Sequence, residues 1–170
     1  MKKKIQYVVG FMFTEDTTQV LLIRKTRPNW QAGFLNGIGG HIEEGEDKLD
    51  AMRREFWEET GEPSPEMWEH TITLESPDFI VYYMRVFDSY IIEQVMARKS
   101  FPTDETPELW PVNVDPEQLV SACSWAIPMS VSNHGIRFPV YVPDLNLQGD
   151  DIGHRHCVQY FTQVSGKITS

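Results

Sequence analysis

Two stretches near the start of the chain, Tyr7 to Phe13 and Val20 to Lys25, are nearly continuous apolar runs, broken by Gly10 in the first and ended by Arg24 and Lys25 in the second. Such short apolar runs read as strands, and the Thr14–Gln19 segment between them reads as a hairpin turn. Asp47 to Thr60 carries a helical period: Leu49, Met52 and Phe56 fall at i, i+3 and i+7, the spacing of one helical face. Asp47 can cap the start of that helix, and Gly61 followed by Pro63 closes it. His70–Glu75 and Phe79–Phe87 read as further strands, with Tyr90–Met96 continuing the sheet. Leu109–Val114 is a short strand. Pro116–Ala122 and Trp125–Val131 are helical, with Pro128 near the start of the second. Arg155–Gln163 suggests a late strand.

Strands and helices mix without regular βαβ alternation, repeats or linkers, which gives one α/β (α+β) domain over residues 1–170. The chain has 170 residues, 41% of them apolar, enough for a sizeable core. The formal net charge is −10. That disfavours a nucleic-acid backbone or an anionic membrane as the main partner, since both call for a basic patch. It leaves room for a small anionic substrate, because a bound divalent cation inverts the local sign of an acidic cleft. Cys123 and Cys157 form no metal or disulfide pattern, as expected in a reducing compartment. Lys2–Lys4 precede an apolar run interrupted by Gln6 and Gly10 with no small-residue cleavage site, so the segment reads as a strand and not a secretory leader. No run reaches the ~18 apolar residues of a membrane span. The expected address is the cytoplasm.

Glu55, Glu58 and Glu59 share about 100° of the predicted helix, beside its apolar stripe. Like charges at i, i+4 cost roughly 0.2–0.5 kcal/mol, and anions in the C-terminal half of a helix oppose its dipole. An exposed face relieved by Arg53 and Arg54 is one account of this cluster. The other is a site for a hard divalent cation such as Mg²⁺, which takes oxygen ligands and works beside substrate phosphates. Gly37, Gly39 and Gly40, just upstream, leave backbone groups bare for metal or phosphate.

From Gly40 the chain reads Gly, five residues, Glu46, seven residues, Arg54, Glu55, apolar Phe56, one residue, Glu58, Glu59, one residue, Gly61. This resembles the box of the Nudix hydrolases; it departs in having Glu62 where the family usually has an apolar residue. The resemblance extends loosely over residues 5 to 132, and residues 133–170 match poorly. It implies an α/β/α sandwich on a mixed sheet, with the box as a loop–helix–loop, and Mg²⁺- or Mn²⁺-dependent hydrolysis of a nucleoside diphosphate linked to another group. By position, Glu58 and Glu59 are the implied metal ligands, joined by Glu55 and a carbonyl of Gly39 or Gly40, while Arg54 and Glu46 brace the loop. A distal acid often completes such sites; Asp104, Glu105 and Glu108 are candidates, and Glu105 is favoured.

Arg24 and Lys25 end a strand pointing toward the same loop, where a basic residue in relatives touches phosphate. His41 stands where lysine is frequent in the MutT-like branch. Asn36–Gly40 resembles the NGxGG run of oxidised-purine nucleotide hydrolases, which makes Asn36 the candidate base reader; an amide offers both a donor and an acceptor. The Trp-Pro-Asp-Asp run that helps such enzymes read the base is missing. Trp30, Phe34, Trp110 and Trp125 can each stack a base, Trp125 standing near the place of the missing run. His154 and His156 alternate without a third ligand and do not suggest a metal site. The expected activity is hydrolysis of a nucleoside triphosphate, oxidised or non-standard ones included, to a monophosphate and pyrophosphate by a monomer or homodimer. ADP-ribose, nucleotide sugars or dinucleotides are the alternative substrates, and a non-catalytic nucleotide-binding module is the alternative role.

Overall fold

A computed structural model describes residues 3–132 and the strand 138–141. Seven strands form one mixed sheet among these residues: β1 (Ile5–Phe13), β2 (Gln19–Arg24), β3 (Leu35–Asn36), β4 (Glu69–Glu75), β5 (Phe79–Phe87), β6 (Thr106–Pro111) and β7 (Phe138–Tyr141). The strand order is β3-β2-β1-β5-β4-β7, with β6 on the other edge of β2. β1 and β5 run parallel in the middle over nine residue pairs, from Ile5↔Phe79 to Phe13↔Phe87. β1–β2 is antiparallel, as the predicted hairpin requires, and β4–β5 is antiparallel too.

Alternation along the central strands divides the interior into two layers. Val8 and Met12 of β1, with Leu21 and Ile23 of β2, pack against the helices α1 (Lys48–Thr60) and α2 (Ser89–Ala97) through Ala51, Met52, Phe56, Ile92 and Val95. Phe11, Phe13, Val20 and Leu22 face the other way, onto α3 (Cys123–Val131) through Cys123, Trp125, Ala126 and Ile127. The result is an α/β/α sandwich. Each fully buried aliphatic or Phe side chain of these layers stabilises the fold by roughly 1.5–3 kcal/mol relative to exposure. Gly10 sits where α1 presses closest: a Cβ there would lie 2.6 Å from the Met52 side chain and 2.8 Å from Trp68.

Three expectations are corrected. Tyr90–Met96 is helical and does not extend the sheet. Asp88 caps it by accepting a hydrogen bond from the Ile91 amide at 2.9 Å, and Ile92 and Val95 bury one face at i, i+3. Pro116–Ala122 contains only a single 3₁₀ turn, Pro116–Gln118. Pro128 lies well inside α3, whose first residue is Cys123. The late strand expected at Arg155–Gln163 falls outside the described residues. No helix among the described residues is long and apolar enough to cross a membrane.

Candidate active site

β2 pairs with β1 only at Met12↔Leu21 and Phe13↔Val20, and then with β3 at Ile23↔Asn36 and Arg24↔Leu35. The glycine-rich segment that follows β3 enters the fork between β1 and β2. Ile38 and Gly10 exchange both backbone hydrogen bonds, at 2.6 and 3.0 Å, and Val8 donates to the Gly40 carbonyl at 2.9 Å. The approach admits no side chain at Gly39, whose φ is 150° and whose Cβ would lie 2.1 Å from the Val8 oxygen. This fork fixes the segment against the C-terminal half of α1.

α1 begins at Asp47, whose carboxylate accepts from the Leu49 amide at 2.8 Å, and ends at Gly61 in the left-handed region. Its buried face, Ala51, Met52 and Phe56, leaves Glu55 and Glu59 on the flank turned toward the glycines. A Cβ on Gly40 would lie 2.6 Å from Glu55 Oε1. The Gly39 amide donates to Glu59 Oε2 at 3.0 Å. Glu59 is only 5% exposed. Burial pushes its carboxyl up to about 8, against the opposing pull of Lys25 and the Gly39 amide. Burial also raises Glu55, with Arg54 opposing.

Two cations organise these acids. The Arg54 guanidinium grips Glu46 through Nε and an Nη, both at 2.9 Å. It also reaches Glu55 at 2.8 Å, Glu58 at 3.4 Å and the His41 carbonyl at 2.9 Å. Such a fork is available to arginine and not to lysine. Lys25 Nζ stands 2.6 Å from Glu105 Oε2 and 3.4 Å from Glu59 Oε1. Burial works against its charge, yet Glu59 and Glu105 outweigh that cost and hold the ammonium above its ordinary value.

The expected convergence of three carboxylates is modified by these contacts. No three Asp, Glu, His or Cys side chains among the described residues close on one ion position. Mutual repulsion separates the acids, Glu55 and Glu58 turning to Arg54 and Glu59 to Lys25. The donors nevertheless suit a hard cation: they are all oxygens, they lie within about one helical turn, and they already hold positive charge. Gly40's carbonyl is engaged by Val8, whereas no donor among the described residues reaches the Gly39 carbonyl.

The other candidates separate by sheet face. Successive strand residues point to opposite sides, and Arg24 departs from Lys25 accordingly. Arg24 does not point to the acidic loop: it binds Glu108 at 2.7 and 2.8 Å and the Gly33 carbonyl at 2.9 Å, and lies 5.7 Å over Trp110. Of the three distal acids, Glu105 stands at the cluster, Glu108 is held by Arg24, and Asp104 meets Thr26 and Arg27 at the surface. The exposed His41 ring rests edge-on to Tyr7 at 5.7 Å. Trp125 is in the core, 8% exposed and edge-on to Tyr83. Asn36 lies between α3 and the loop before β3, within hydrogen-bond reach of Cys123 and Gln31, two residues that nothing in the local sequence pattern singled out. His154, His156 and Cys157 fall outside the described residues.

The NUDIX domain family model matches residues 4–134. The chain belongs to the Nudix family. It is thereby a Nudix-type pyrophosphohydrolase, with MutT-like proteins among its structural neighbours. A comparison with curated protein sequences gives no significant match. Among solved structures, the fold is similar to a Nudix hydrolase from Nitrosomonas europaea, with TM-score 0.61 and 12% identity over 85% of this chain and 81% of that one. It is similar to the Nudix domain of Shewanella oneidensis NrtR complexed with ADP ribose, with TM-score 0.61 and 18% identity over 76% and 87%. A MutT from work on Aliivibrio salmonicida and Vibrio cholerae gives TM-score 0.55 and 21% identity over 74% and 98%. At these identities the Nudix likeness of the structures concerns the fold.

Proposed function

We propose that this Nudix protein hydrolyses a nucleoside triphosphate, including oxidised or non-standard ones, to a nucleoside monophosphate and pyrophosphate. The observation that carries the reading is the placing of Glu55 and Glu59 against the Gly39–Gly40 backbone, with Glu58 beside them on α1 within reach of Arg54, and Arg54 braced by Glu46. Mg²⁺, or Mn²⁺ in its place, would be held by oxygens of Glu55, Glu58 and Glu59 with the Gly39 carbonyl. When bound, such an ion neutralises phosphate charge and lowers the pKa of water.

The protein's own part is positional. Arg54 fixes the loop 41–46 to α1, so that the glycine backbone and the carboxylates keep one geometry while substrate enters. Lys25 holds Glu105 beside Glu59, where Glu105 accepts the proton of the attacking water. The water oxygen forms a bond to phosphorus as the bridging P–O bond breaks, and the leaving oxygen carries its electron pair into pyrophosphate. Asn36, three residues before Gly39 and thus within about 10 Å along the chain, faces the base. His41 borders the phosphate path from the surface, and Lys25 meets the phosphates nearest Glu105.

The test is a nucleotide panel with Mg²⁺, comparing wild type with Glu58→Gln and Glu59→Gln. Loss of ~10²-fold or more in turnover is expected of each variant, the scale seen when a group stabilising transition-state charge is removed. Undiminished turnover in both would remove the mechanism. A second reading, hydrolysis of ADP-ribose, has one observation in its favour: a structural neighbour holds ADP ribose. Release of ribose phosphate and no pyrophosphate in the same panel selects it. Tight nucleotide binding without any product would select a sensing role instead.

A further inference from the structure

We infer that Cys123 is a positioning residue for specificity, holding the Asn36 amide so that it presents only donors and selects bases carrying a keto group over their amino counterparts. The inference rests on the reading that Asn36 faces the base. Its geometry is independent of that reading. The Gly37 amide lies 2.8 Å from Asn36 Oδ1. A backbone N–H can only donate, which assigns that atom as the oxygen and the other as the nitrogen. The Cys123 thiol donates to the same oxygen at 3.1 Å. Both acceptor positions of the amide are then occupied. Asn36 Nδ2 donates one of its two hydrogens to Gln31 Oε1 at 3.3 Å.

The surroundings keep this order. Cys123 is 1% exposed, and burial pushes its thiol up to about 12, so it retains its proton as a donor. The Val120 amide binds the Leu35 carbonyl at 2.8 Å, which ties the start of α3 to β3 and holds Cys123 in register with Asn36. Gly37 leaves no room for the amide to withdraw: a Cβ there would lie 2.5 Å from Val9 Cγ1 and 2.9 Å from the Gly10 oxygen. The half-buried Asn36 therefore has an N–H to offer a ligand and no acceptor. An N–H matches the 6-oxo group of a purine or the 4-oxo group of a pyrimidine, and it opposes the 6-amino or 4-amino group.

Inosine and adenosine 5′-monophosphates differ in this respect at the 6-position and its neighbouring nitrogen, and their affinities can be measured by calorimetry without turnover. Wild type is expected to bind inosine monophosphate about 3- to 10-fold more tightly, the worth of one net hydrogen bond. Cys123→Ala is expected to lose at least half of that ratio, and Cys123→Ser, which keeps a donor, to restore it. Thermal melts establish that both variants are folded; if the alanine variant is not, Asn36→Asp, which removes the donor, must abolish the inosine preference. A wild-type ratio in folded Cys123→Ala, or equal loss in the serine and alanine variants, overturns the proposal while leaving Asn36 as base reader. An unchanged ratio in Asn36→Ala, or no nucleotide binding by wild type, overturns the base-reading role itself.

Discussion

Lys25 and Glu105, eighty positions apart in the chain, meet at 2.6 Å with side chains 12% and 5% exposed. Removing one member of such a buried pair leaves the other charge without compensation, at a cost of roughly 3–5 kcal/mol. Lys25→Met is therefore expected to lower stability by about 2–4 kcal/mol, Glu59 being left without its partner too. Glu105→Gln in the same chain should recover at least half of the loss. Denaturant unfolding of the two single variants and the double variant checks this as a cycle, and additive losses would show that the pair is uncoupled.

Arg54 spans Glu46, Glu55, Glu58 and the His41 carbonyl at once. A lysine keeps the charge but cannot keep the fork. Arg54→Lys is expected to reduce kcat/KM with Mg²⁺ by about 10- to 100-fold, the range for groups that orient metal ligands. Steady-state kinetics decides it, and full activity would mean that charge alone suffices at this position.

Gly40→Ala separates function from stability. The nearest atoms to the added Cβ are the carboxylate end of Glu55 at 2.6–2.7 Å. A flexible carboxylate moves aside cheaply, so melting should change little. The displaced carboxylate no longer stands at the glycine backbone, and activity should fall at least ~10-fold, as for other outer changes that shift a ligand. An active variant with a large drop in Tm would reverse the assignment.

The pH response of Glu59 has a definite sign. Its carboxyl moves from 4.5 up to about 8 through burial, so the metal-free folded state binds the proton more tightly than the unfolded chain. The resulting stabilisation is complete below the unfolded value and is lost as pH rises through about 8. Glu59→Gln is neutral at every pH. Melts in chelator from pH 6 to 9 should show the wild-type Tm declining more steeply than that of the variant; parallel curves would exclude Glu59 as the group responsible.

The frame of the site was legible because local chemistry specifies it. Asp47, the Leu49/Met52/Phe56 stripe and Gly61 mark α1 from start to stop, and the box spacing orders its acids. α2 was misread because Ile91, Ile92 and Val95 suit a strand as well as a helix; the Asp88 cap was the overlooked signal. Arg24 and Lys25 are adjacent in sequence but divided by the pleat, and the sheet face that each takes follows from burial in three dimensions. The contact between Asn36 and Cys123 spans 87 positions and left no local trace at all.

The parallel alignment of β1 with β5 has a consequence for how the chain is made. The central ladder cannot close until residues 79–87 exist, because β5 is the strand on which all nine residues of β1 register. Until then Phe11 and Phe13 lack Phe79, Val81, Tyr83 and the whole of α3, the partners that bury their side of the sheet. Closing so long a loop carries an entropic cost before any contact rewards it. The nascent protein thus emerges from the ribosome with its future centre exposed, and its folding speed is governed by the search of two distant strands for each other.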